Sequence, residues 1–150
     1  MIISFCGHSD YIAKKDDVQT LLNYLNTIIG NSPVVFMLGE YGSFDRFAYH
    51  CCALYKENHA NSSLLYVTPY LESSTLQSLS SQQRFDDIIY PNLEKIPKRY
   101  AILYRNRYMV EHADIIIAYI THTFGGAYKT YRYAMKLKKK IFNLADIHML

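Results

Sequence analysis

Short apolar runs and helical hydrophobic stripes alternate along this chain of 150 residues. The apolar runs have few polar interruptions, as expected for strands that are covered on both faces. They lie at residues 2–5, 34–38, 64–67, 114–120 and 140–144. Helical patterns separate most of these runs, which is typical of βαβ units and predicts a largely parallel sheet.

The helices are predicted from apolar residues at helical spacing. The first spans residues 15–29, a second begins after Ser43, and the last spans residues 127–137. Residues 72–97 have the weakest pattern, and beyond them we expect a short strand at 101–103 and a short helix at 106–112. The prediction is one α/β domain over residues 1–150, a Rossmann-like open, mainly parallel sheet with helices on both faces.

Composition narrows the class of protein. Half of the residues are hydrophobic, so a packed core is expected. The net charge of +3 suits an acidic ligand but falls short of the basic footprint of a dedicated DNA-binding domain. No apolar stretch reaches the ~20 residues of a membrane helix, and residues 1–5 are too short for a signal peptide. Three cysteines form no disulfide framework, which favours the cytoplasm.

Glycine-containing loops follow three of the predicted strands. They contain Gly7, then Gly39 and Gly42, then Gly125 and Gly126. In an open parallel sheet these loops meet at the carboxyl edge, where ligands bind. Glycine lets the backbone approach a phosphate, and the following helix points free N–H groups at it. Because glycine is also an ordinary turn residue, tight turns without a ligand are the alternative.

Polar side chains near these loops suit an anionic ligand. Arg105 offers a fork that can pair with a phosphate in a bidentate manner, and the alternative is an ordinary surface arginine. Several hydroxyl groups can donate hydrogen bonds, although helix N-capping accounts for one or two of them. They belong to Ser9, Ser43, Thr121, Thr123 and Thr130. The lysine run at 136–140 is expected at a solvated helix end.

Evidence for catalysis is thin in the sequence. Glu40, Asp45 and His8 are weak candidates for acid–base chemistry, because the sequence does not give the distances between them. Cys6 and His8 are near neighbours, but they are a poor match for a nucleophile pair. The six histidines and three cysteines show no zinc spacing, so no metal site is expected.

Two segments of the chain carry distinctive motifs. The first is Arg-Asn-x-x-Met-Val at 105–110 with Asp114, and the second is the Gly-Gly-containing segment at 125–134. They resemble the YpsA-like branch of the SLOG superfamily, which also includes the DNA-processing protein A and LOG-type families. The loops at 5–9 and 39–45 match the same branch. The resemblance implies a Rossmann-like sheet and a pocket for nucleotides or their derivatives.

Carried over by position, the resemblance and the loops together assign a set of ligand-binding residues. They are Gly7, His8, Ser9, Gly39, Glu40, Gly42, Ser43, Asp45, Arg105, Asn106, Met109, Thr123, Gly125, Gly126, Lys129 and Thr130. The resemblance also suggests an NAD-derived or ADP-ribose-type signal as the ligand, with no cofactor required. It favours a homodimer, and a protein partner is a further expectation.

One departure from the family bears on activity. LOG-type hydrolases carry a GGxGTxxE pattern whose glutamate performs the cleavage, whereas this chain has Tyr128, Lys129 and Arg132 at the last three defined positions. A guanidinium cannot replace that carboxylate. We therefore expect a sensor or ligand-capturing module. A nucleotide-processing hydrolase is the alternative, and single-stranded DNA binding is a less favoured one, with nucleic acid an unlikely partner.

Overall fold

In the part of the chain that the structure describes, six parallel strands form one central sheet. They are β1 (Ile2–Gly7), β2 (Val34–Leu38), β3 (Ser62–Val67), β4 (Asp87–Ile89), β5 (Ile115–Tyr119) and β6 (Lys140–Asn143). The computed structural model describes residues 1–72, 74, 77–78 and 83–149, and its strand order is β4-β3-β2-β1-β5-β6. The chain moves outward from β1 to β4 and then returns to the other side of β1, so the strand order reverses between β1 and β5.

Four longer helices lie in the described part of the chain: α1 (Asp17–Ile29), α2 (Ser43–Glu57), α3 (Ala101–His112) and α4 (Gly126–Lys136). Short 3-10 turns occur at Lys98–Tyr100 and Leu144–Met149. None of the helices described here is long and apolar enough to span a bilayer.

Alternate residues of the central strands point to opposite faces of the sheet, as the pleat requires. Ile3 and Phe5 of β1 pack in the core that α1 and α2 cover. Cys6 packs in a second core, together with Val110 of α3 and Ala134 of α4. Both faces are therefore covered by helices, which confirms the predicted fold class.

The prediction was wrong between residues 101 and 112. The expected strand at 101–103 is the first turn of α3, which is continuous to His112. Ala101, Arg105 and Met109 recur at a spacing of one helical turn and are buried, but the arginine in the middle hides the apolar stripe. The weak region before it contains β4, although residues 73, 75–76 and 79–82 lie outside the part described.

Candidate functional site

A pocket of about 320 Å³ lies at the carboxyl edge of the sheet. Its walls come from the loops after β1, β2 and β5, from the first turn of α2, from one side of α3 and from the N-terminal end of α4. The loops after β1 and β5 flank the point where the strand order reverses, which is where open α/β sheets bind ligands. Its walls include these predicted residues: Gly7, His8, Ser9, Gly39, Asp45, Arg105, Asn106, Met109, Gly125, Gly126 and Thr130.

Among the described residues, Arg105 is the largest fully buried side chain, with 1% of its surface exposed. Its Nη1 donates to the backbone oxygens of Gly39 and Val67, each at 2.7 Å, and its Nε donates to Oδ1 of Asn106 at 2.9 Å. These partners are neutral, and Arg105 makes no ion pair with any described carboxylate. A guanidinium is therefore held in the pocket wall without a bonded counter-charge.

Asp45 and Gly39 shape the pocket next to this guanidinium. A Cβ on Gly39 would lie 3.1 Å from Oδ2 of Asp45 and 3.3 Å from Cζ of Arg105, so glycine allows both groups to approach the strand end. Oδ2 of Asp45 accepts the N–H of Tyr41 at 2.8 Å. Burial raises the pKa of Asp45 to about 6, and this hydrogen bond and the Arg105 charge act against the rise.

Stacked rings form the wall on the β5 side. The His8 and His122 rings stack with centroids 3.5 Å apart, and Phe124 stacks on His122 at 3.9 Å. Nε2 of His8 accepts the backbone N–H groups of Thr121 and His122 at 3.0 and 3.3 Å. Because this nitrogen is already an acceptor for two donors, His8 is suited to holding the loop rather than to removing a proton.

Glu40 faces away from the pocket. Its carboxylate pairs in a bidentate manner with Arg84, at 2.9 and 3.0 Å, and it is absent from the pocket wall. Cys6 does lie in the wall, but burial raises the pKa of its thiol to about 12. The thiol therefore stays protonated and is a poor nucleophile.

Two of the predicted glycines and a serine bind the loops to one another. A Cβ on Gly7 would overlap the ring of Phe44. Gly42, at φ 91°, allows its backbone to meet Ser9, since a Cβ there would lie 2.7 Å from Cα of Ser9. The Ser43 hydroxyl donates to the backbone oxygens of Ser9 and Tyr11. Gly42 and Ser43 lie outside the pocket wall and act on it through Ser9.

The N-terminus of α4 opens into the pocket. Gly125 precedes this helix at φ 89°, a conformation that favours glycine, and Gly126 is its first residue. The Thr130 hydroxyl donates to the backbone oxygen of Gly126 at 3.0 Å, so it stabilises this turn. The first amides of a helix have no acceptor within the helix, which makes this end a donor site for an anion.

Thr123 and Lys129 are exposed and lie outside the pocket wall. The structure adds wall residues that sequence reasoning missed, chiefly His122 and the exposed rings of Tyr41 and Phe124, with 60% and 69% of their surfaces accessible. Their positions inside the candidate loops could have singled them out. Among the described residues, no His, Cys, Asp and Glu side chains are grouped so as to hold a metal ion.

Two solved structures of DNA processing protein A resemble this chain. The protein from Helicobacter pylori, studied for its single-stranded DNA binding mode, superposes with a TM-score of 0.65 at 17% identity, over 95% of this chain and 64% of that one. The protein from Streptococcus pneumoniae gives a TM-score of 0.65 at 13% identity, over 94% of this chain and 49% of that one. This chain shares their fold.

The likeness is limited to fold and to part of each protein. This chain spans 64% and 49% of the lengths of the two. No protein family matches the sequence, and no curated protein does. The fold shared with these two proteins confirms the Rossmann-like sheet that the SLOG resemblance predicted. Membership of the YpsA-like branch stays a prediction.

Proposed function

We propose that this chain binds a phosphate-bearing nucleotide, or a ligand derived from one, in the pocket at the carboxyl ends of β1, β2 and β5. The observation that carries the proposal is the buried guanidinium of Arg105, which faces neutral oxygens and no paired carboxylate. Asp45 attracts this guanidinium without forming an ion pair, and an anion in the pocket would further offset the cost of burying its charge. Nη1 and Nε of Arg105 already donate to the protein, so Nη2 is the donor left for a phosphate oxygen.

The pocket offers separate places for a phosphate and a base. The amides at the start of α4, near Gly126, can hold a phosphate. The exposed rings of Tyr41 and Phe124 supply faces on which a base can stack. A volume of about 320 Å³ lies at the lower end of the ~300–1,000 Å³ range of ligand pockets, which suits one nucleotide unit. An ADP-ribose-type ligand would place its second half outside.

Binding rather than turnover is the activity we propose. Glu40 is engaged by Arg84, the Cys6 thiol is protonated, and His8 accepts two backbone hydrogen bonds. Asp45 is the catalytic candidate that brings a carboxylate into the pocket wall. Its attraction to Arg105 suits a role in orienting that side chain. Capture of a ligand could be communicated through the expected homodimer or through a protein partner.

Gly126 provides the test. A Cβ there would meet nothing within 4 Å, so Gly126→Ala and Gly126→Pro should both fold. Proline is accepted at the first helical position and removes one N–H, whereas alanine keeps it. We expect AMP and ADP-ribose to bind wild type and Gly126→Ala alike in calorimetry, and Gly126→Pro about 10- to 100-fold more weakly. Equal affinities, or no binding by wild type, would contradict the proposal.

A second candidate is binding of single-stranded DNA. The observation that favours it is the shared fold with the Helicobacter pylori protein, which was studied for that activity. It makes our expectation that nucleic acid is an unlikely partner doubtful. Retention of a fluorescent oligonucleotide that falls steeply with salt would support this candidate.

A further inference from the structure

The charges of this chain are segregated along the sequence. Residues 98–140 contain 10 of the 16 lysines and arginines but only 2 of the 13 acidic residues, so they carry a net charge of +8. The remaining residues carry 6 basic and 11 acidic side chains, a net charge of −5. The modest total of +3 is therefore the difference between a basic and an acidic part.

The basic segment contains α3, the buried strand β5 and α4 and ends at the first residue of β6, and α3 packs against α4. Cζ of Arg107 lies 5.2 Å from the ring centres of both Tyr104 on α3 and Tyr133 on α4, so this cation joins the two helices. At the start of α3, Cζ of Arg99 lies 4.9 Å from the ring centre of Tyr100. Tyr100 and Tyr104 expose 43% and 39% of their surfaces.

On α4 the exposed cations follow one stripe. Lys129, Arg132 and Lys136 are spaced by three and four residues, so they share a side of the helix with Tyr133. None of them, and not Arg107, forms an ion pair with a described residue. We call the surface made by Tyr100, Tyr104, Arg107, Lys129, Arg132, Tyr133 and Lys136 the basic face.

We infer that the basic face binds single-stranded nucleic acid. Its cations complement a phosphate backbone, and the exposed ring of Tyr104 lies beside Arg107. Bases of a single strand are free to stack on such rings, whereas those of a duplex are already stacked on one another. The face is separate from the nucleotide pocket, and it gives the second candidate function a surface of its own.

Two triple variants with equal net charge provide the test. One changes Lys129, Arg132 and Lys136 to glutamine, and the control changes the exposed Lys14, Lys15 and Lys95. Each lowers the net charge from +3 to 0. For an oligothymidylate, log affinity falls with log salt, and loss of three phosphate contacts should make that slope shallower by about 2. At 0.1 M salt this corresponds to roughly 100-fold weaker binding. The control triple should bind like wild type.

Tyr104→Ala tests the stacking part, with an expected loss of roughly 5- to 150-fold and no change in the salt slope. Equal weakening by both triple variants would reduce the effect to net charge and overturn the inference. Loss of binding in Gly126→Pro but not in the basic-face triple would place the strand in the pocket, which overturns the inference and keeps the second candidate. No binding of the strand, or binding of anionic lipid vesicles in its place, would overturn both.

Discussion

Gly7→Ala should destabilise the protein through packing alone. Gly7 ends β1, and its φ lies outside the left-handed region, so alanine is compatible with the backbone there. The added Cβ would overlap the ring of the fully buried Phe44 and lie 2.8 Å from its Cβ. That ring is held in turn by Tyr11, Phe47 and Tyr119 at centroid distances of 5.3, 5.9 and 6.1 Å.

The size of the effect follows from comparing two terms. Replacing glycine by alanine at a compatible position stabilises by about 0.4–1 kcal/mol through the unfolded chain. Overpacking a tight core costs about 1–3 kcal/mol, and a direct overlap with a ring that cannot move belongs at the upper end. We expect a net loss of about 2 kcal/mol in the free energy of unfolding, measured by urea denaturation.

A double variant separates packing from other causes. Phe44→Leu alone should cost about 1–2 kcal/mol because it leaves a cavity, but it also makes room for the new methyl group. Gly7→Ala combined with Phe44→Leu should therefore be at least about 1 kcal/mol more stable than the sum of the single effects predicts. A strictly additive pair, or a Gly7→Ala variant as stable as wild type, would refute the reasoning and return Gly7 to a role in ligand approach.

Three further predictions concern titratable groups around the pocket. Burial raises the pKa of Asp45 to about 6, so the folded state binds its proton more tightly than the unfolded state does. The free energy of unfolding should therefore fall by up to ~3 kcal/mol as pH rises from 4 to 6. Urea denaturation of Asp45→Asn should show no such fall. Burial lowers the pKa of His8 below 6.5, so stability should fall as pH drops below that value, and pH-dependent melting of His8→Gln should lack this loss. Glu40→Gln should cost about 1 kcal/mol through the lost Arg84 pair yet leave calorimetric nucleotide affinity unchanged; a large loss of affinity would place Glu40 in the site.

The hydrophobic pattern was sufficient to predict most strands of the sheet, because strands covered on both faces are uniformly apolar. The predicted run at 34–38 coincides with β2. The hydrophobic pattern failed to predict α3, because Arg105 lies at a core position where a hydrophobic residue is expected. That failure is informative, since a charged residue inside a buried stripe is tolerated when carbonyl groups and a ligand can satisfy it.

The site was predictable in its loops but not in the direction of its side chains. Glu40 and Asp45 lie five positions apart along one segment, yet one pairs with Arg84 and the other turns toward Arg105. The residue after a strand can face either way, and only the tertiary partners decide. The basic face could not be predicted from the total net charge, because acidic residues elsewhere in the chain offset its cations. Counting charges over residues 98–140 alone would have indicated it.

The central claim is that a phosphate-bearing nucleotide occupies the pocket at Arg105. The Nε–H of Arg105 is buried and donates to Asn106. Its proton should therefore exchange slowly and give a signal in a nitrogen–proton correlation spectrum. Titration with AMP, ADP-ribose and adenosine follows that signal together with the amides of Gly125 and Gly126. We predict that the two phosphate-bearing compounds shift all three signals and that adenosine shifts them far less. Unmoved signals at saturating nucleotide, or shifts confined to α3 and α4 surface residues, would contradict the claim.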